Sequence, residues 1–164
     1  MKILYSSLML VALSAAFGAH AEDPTPIDET PKITAAQALA AYDRFKAAPE
    51  NNLREAPTFL NYMQGGAVHT VLNSQVVFWM YRAIAPDAQA VLYAAYMGGN
   101  LDSQLRGPRH GDDPEAGMRA ALTAYATLTQ THSKLSIPEF APLAKAEAAG
   151  KLREAVEALS GAAH

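Results

Sequence analysis

Hydrophobic residues recur at helical spacing along most of this chain. Leu39, Tyr42 and Phe45 step by three and fall on one face of a helix. That helix starts at Thr34-Ala35-Ala36-Gln37, a capping box in which the Thr hydroxyl takes a free N–H and Gln reaches back. Pro49 ends it. Pro57 opens a short helix that buries Phe59, Leu60 and Met63, and Gly65-Gly66 terminates it. From Pro86 the stripe Ala88, Val91, Leu92, Ala95 and Tyr96 predicts a helix with Pro in its first turn. Gly98-Gly99-Asn100 either ends that helix or is passed over, because Leu101 and Leu105 keep the spacing to Arg106.

The clearest helix follows the loop Gly107–Asp112. Asp113 caps it, Pro114 sits first, and Glu115 places an acid in the positive first turn. Met118, Ala121, Leu122, Tyr125 and Leu128 form its apolar stripe. Ser136-Ile137-Pro138-Glu139 starts a further helix, which Gly150 interrupts. Lys151 to Ser160 resumes with Leu152, Val156 and Leu159 on one face and Arg153/Glu157 as an i,i+4 ion pair.

One stretch, residues 67–84, fits three patterns. Val68, Thr70 and Leu72 alternate with polar neighbours, so a β-hairpin over 67–81 with a turn at Asn73-Ser74 is one option. Val68, Val71, Leu72, Val76, Trp79 and Ala83 also make one helical stripe. The favoured option is a helix starting at Gln75 with Asn73 or Ser74 as its cap, because a lone hairpin among helices has little to pack on. The expectation is therefore all-α: a compact bundle of five to seven helices over residues 34–161, with the 67–81 hairpin as the open variant. No fixed-period repeat supports a solenoid.

The amino terminus reads differently. Lys2 precedes a mainly apolar run from Ile3 to Phe17, and Ala19-His20-Ala21 is an A-x-A exit. This is the layout of a cleavable export signal, and the apolar run falls short of the roughly 20 residues that span a bilayer. Cleavage after Ala21 is expected, giving a periplasmic or secreted bacterial protein that begins with an acidic, proline-punctuated flexible segment over 22–33. No later segment reads as a membrane span.

Composition narrows the chemistry. The 164 residues include no Cys, which excludes disulfides, thiolate metal sites and cysteine nucleophiles. The formal net charge is −3, with no basic footprint for nucleic acid. No nucleophile elbow, dinucleotide-binding glycine loop, P-loop or HExxH pattern occurs, and no cofactor is expected.

Two functional classes remain. Aromatic and Met residues concentrate between Phe59 and Met97, and the run Phe78-Trp79-Met80-Tyr81 cannot face one way on a helix. Phe78, Trp79, Tyr81, Tyr93 and Met97 are thus candidates for binding a protein partner or an apolar ligand. Core packing is the competing explanation for the same residues. The alternative is a small metal-dependent hydrolase using His110 and Asp112, with His69 as a further ligand. Asp113 has a capping role in that loop, and His132 is explained by its place at a helix C-terminus. The absence of a catalytic motif favours the non-catalytic binding domain.

Overall fold

The structure is a computed structural model describing residues 32–108 and 110–161, with only the main chain of Ala67. The export signal, its cleavage point and residues 22–31 lie outside this range. Six α-helices pack together: α1 (Ala35–Ala47), α2 (Ala56–Tyr62), α3 (Pro86–Arg106), α4 (Pro114–Thr131), α5 (Phe140–Ala148) and α6 (Leu152–Gly161). No strand occurs among the described residues, so the expected all-helical class holds.

Both expected caps form. The Gln37 N–H donates to the Thr34 hydroxyl at 3.2 Å, and the Thr34 N–H donates to the Gln37 side-chain oxygen Oε1 at 2.8 Å. Asp113 accepts the Ala116 N–H at 3.2 Å. Ile33, assigned from sequence to the flexible leader, packs against the core instead.

α3 runs straight through Gly98-Gly99-Asn100. A glycine inside a helix costs about 0.5–1 kcal/mol relative to alanine. The reason for the glycines is close approach. A Cβ on Gly98 would stand 2.1 Å from the Tyr42 ring of α1, and one on Gly99 would stand 2.6 Å from the Ala116 carbonyl of α4. Gly117 answers from α4, where a Cβ would meet the Tyr96 ring at 2.8 Å. Small residues thus let α3 lie tightly against both α1 and α4.

Two aromatic groups fill the remaining space. Tyr42, Phe45 and Phe59 join α1 to α2 with ring centroids 5.5–6.3 Å apart. Trp79 packs with Phe78, Tyr96 and Phe140 at 5.3–5.8 Å, and Tyr125 meets Phe140 at 4.7 Å. Full burial of each large side chain contributes roughly 1.5–3 kcal/mol.

The ambiguous stretch is neither hairpin nor long helix. After a π-turn over Met63–Ala67, closed by Gly66 at φ 79°, residues 69–73 run without turn or bend. Turns at 74–77 then lead into one 3₁₀ turn, Phe78–Tyr81. The Asn73 side chain accepts the Gln75 N–H at 2.8 Å, while its carbonyl accepts both the Val76 and Val77 N–H groups. This tight turn buries Val76, Val77 and Trp79 together. The Gln89 side-chain amide donates to the Met80 carbonyl at 2.7 Å, and the chain turns extended at Arg82.

The expected Arg153/Glu157 pair is also replaced. Arg153 turns to Glu115 on α4 at 2.9 Å, where Arg119 already binds at 2.8 Å. A tertiary bridge between α6 and α4 takes the place of a pair along one helix.

Candidate functional site

The five aromatic and Met candidates do not share one surface. Trp79 is fully buried, and Phe78 is half-buried against Phe140. Tyr81 stands 74% exposed. Tyr93 and Met97, one helical turn apart on α3, are the two that converge on a cleft.

That cleft holds about 270 Å³ between α2, α3 and the segment 68–70. Leu60 and Met63 come from the α2 side, Val68 from the segment, and Tyr93 and Met97 from α3. Its polar lining is small: Gln64, His69 and Thr70. The Thr70 hydroxyl oxygen is buried and has no hydrogen-bond partner among the described residues. Such a group costs free energy unless something pairs with it.

A buried polar network fixes the segment that walls the cleft. Gln104 lies on the same stripe of α3, seven residues beyond Met97. Its amide nitrogen donates to the His69 carbonyl at 2.6 Å, and its oxygen accepts the His69 N–H at 3.1 Å. The second Gln104 amide proton goes to the Asn100 side-chain oxygen at 2.5 Å. Asn100 in turn donates to Asp112 at 2.6 Å, and the Ser103 hydroxyl donates to Asp113 at 2.5 Å. One side-chain chain therefore joins segment 68–70, α3 and the start of α4. Gln104 and Asn100 are buried, and every bond of this chain that they make is matched in direction, as buried amides require.

This network changes the place of the other candidates. Asp112 is engaged by Asn100, and His110 and His69 are both exposed. Among the described residues no three His, Asp or Glu side chains gather where they could hold a metal ion. Asp112 is thus tied to α3 through Asn100.

A cluster the sequence did not disclose joins Glu50 to the end of α4. Glu50 receives the Thr131 hydroxyl at 2.7 Å and meets His132 Nε2 at 2.5 Å. These contacts, the Thr131 bond first, hold its carboxyl below the usual glutamate range. His132 follows the last turn of α4, as the helix dipole favours. Nothing local in the sequence marks its partner, 82 residues away. A second apolar groove, of about 390 Å³, has Phe78, Leu143 and Leu159 in its wall and Arg82 paired with Glu139 beside them.

One sequence signal does mark the first cleft. Residues 56–81 contain no Lys, Arg, Asp or Glu, although Glu55 and Arg82 flank them directly. Within that run Val71 is 63% and Leu72 49% exposed. No protein-family model matches the chain, and no curated protein or solved structure is detectably similar to it.

Proposed function

We propose that this chain is an exported, non-catalytic helical domain that binds an apolar segment of a protein partner in the cleft between α2 and α3. The observation that carries this reading is the convergence of Tyr93 and Met97 with Leu60, Met63 and Val68 around one uncharged space. At about 270 Å³ it lies just below the roughly 300–1,000 Å³ of drug-sized sites. It suits one or two apolar side chains presented by a peptide. The unpaired Thr70 hydroxyl offers such a peptide a single polar anchor. Exposed Val71 and Leu72 extend the apolar surface along the rim.

The export half of the proposal rests on Lys2, the apolar run to Phe17 and Ala19-His20-Ala21. No helix among the described residues is long and apolar enough to cross a membrane.

The test is a fluorescence titration with the apolar probe N-phenyl-1-naphthylamine. Saturable binding is expected, weakened at least tenfold by Tyr93→Ala with the far-UV circular dichroism unchanged. Equal binding by the two proteins would remove the cleft as the site.

A further inference from the structure

We propose that a groove at the amino-terminal end of α3 is a second binding site, and that it takes a short peptide with both of its ends free. The site goes beyond the cleft between α2 and α3 and shares no lining residue with it.

Two adjoining spaces make the groove. One holds about 430 Å³ between residues 83–88 and the loop 131–136 after α4. The other holds about 180 Å³ between Glu50, Leu53, the first turns of α3 and the last turn of α4. Ala88 and His132 line both, so the two spaces meet there. The larger one alone lies within the roughly 300–1,000 Å³ of small-molecule sites. Glu50 fixes the wall where they meet. It takes the Thr131 hydroxyl at 2.7 Å and meets His132 Nε2 at 2.5 Å.

The two ends differ in charge. Glu50 and Asp87 line the smaller space, and Lys134 lines the larger. Glu50 is already bonded by Thr131 and His132. Asp87 and Lys134 form no ion pair among the described residues. An ammonium therefore suits the Asp87 end and a carboxylate the Lys134 end. A molecule with one of each meets unlike charges at both ends. The reversed molecule meets like charges, so the groove also sets its direction.

The walls between these ends suit a peptide main chain. Ala83, Ala85, Ser133 and Ser136 are small and let a second chain approach. The N–H groups of Ser133, Lys134 and Ser136 and the carbonyls of Ala83 and Ile84 have no partner among the described residues. They offer donors and acceptors to a peptide's own C=O and N–H groups. Val91 and Leu128 add buried apolar surface in the smaller space, where a small side chain can rest.

Amide chemical-shift mapping of the isotope-labelled protein with trialanine tests this. Saturable shifts are expected at residues 83–88 and 131–136. N-acetyl-trialanine and trialanine amide should each bind about three- to fivefold more weakly, the scale of one partly exposed ion pair. Asp87→Asn should weaken trialanine to the same extent and leave N-acetyl-trialanine unchanged. Lys134→Gln should do the same to trialanine and leave the amide unchanged. Both positions are exposed, and unchanged spectra away from the groove check that the variants fold. The absence of saturable shifts at the groove, equal binding of the three peptides, or variants that bind trialanine as the wild type does would each overturn the proposal. None of these outcomes bears on naphthyl-probe binding, which reads the other cleft.

Discussion

The side-chain amide of Gln104 holds the main chain of His69 by both its N–H and its C=O, at 3.1 and 2.6 Å. A side chain does here what a neighbouring strand does in a sheet. It fixes a non-helical segment and sets the wall of the candidate cleft. Removing the amide leaves His69 and Asn100 with unpaired groups. Gln104→Ala should therefore cost about 2–3 kcal/mol, the scale of buried polar groups left unsatisfied. Urea unfolding monitored by circular dichroism measures this, and the same variant should lose probe binding.

The glycine seam gives a second test. Replacing a mid-helix glycine with alanine ordinarily gains up to about 1 kcal/mol. At Gly98 the added methyl would meet the Tyr42 ring. Gly98→Ala should instead lose about 1–3 kcal/mol, the cost of overpacking. Gly65, which has nothing within 4 Å, is the comparison. Gly65→Ala should stay within about 0.5 kcal/mol of the wild type. Equal denaturation midpoints for the two variants would contradict the close packing of α3 on α1.

Neighbours in sequence should behave oppositely in the 3₁₀ turn. Trp79→Ala empties a fully buried site and should cost about 3–5 kcal/mol. Tyr81→Ala, at a position 74% exposed, should change stability by no more than about 0.5 kcal/mol. Thermal unfolding of the two variants separates core from surface within four residues.

The pair Glu50–His132 predicts a pH dependence. The folded-state carboxyl of Glu50 lies below its ordinary value because Thr131 and His132 bond it. A depressed carboxyl contributes stability above its unfolded-state value and loses it as the pH falls through the folded one. The pair is partly exposed, so the contribution is small, at most about 1 kcal/mol. Glu50→Gln should lower Tm at pH 7, and the difference should close as the pH falls below the ordinary glutamate range. A difference that persists there would place its origin in packing.

Local signals in the sequence defined the helices well. Thr34 with Gln37 and Asp113 with Pro114 marked starts that the structure keeps, because capping is settled within four residues. The stripes of α3 and α4 were visible for the same reason. Segment 67–81 was not, because its main chain is held by side chains beyond it, Gln89 nine residues from Met80 and Gln104 thirty-five from His69. The candidate set divided along the same line. Trp79 went to the core and Tyr93 with Met97 to a cleft, since composition counts aromatic residues without telling which way each one faces. Arg153 pairs with Glu115 on another helix, a partner that spacing along its own helix does not reveal.

In the function proposed above, the cleft between α2 and α3 is where this domain meets its apolar partner. Amide chemical-shift mapping tests it most directly, using isotope-labelled protein titrated with N-phenyl-1-naphthylamine. Saturable shifts confined to residues 60–72 and 93–104 are expected. Shifts centred instead on Phe78, Leu143 and Leu159, or no saturable shifts at all, would contradict it.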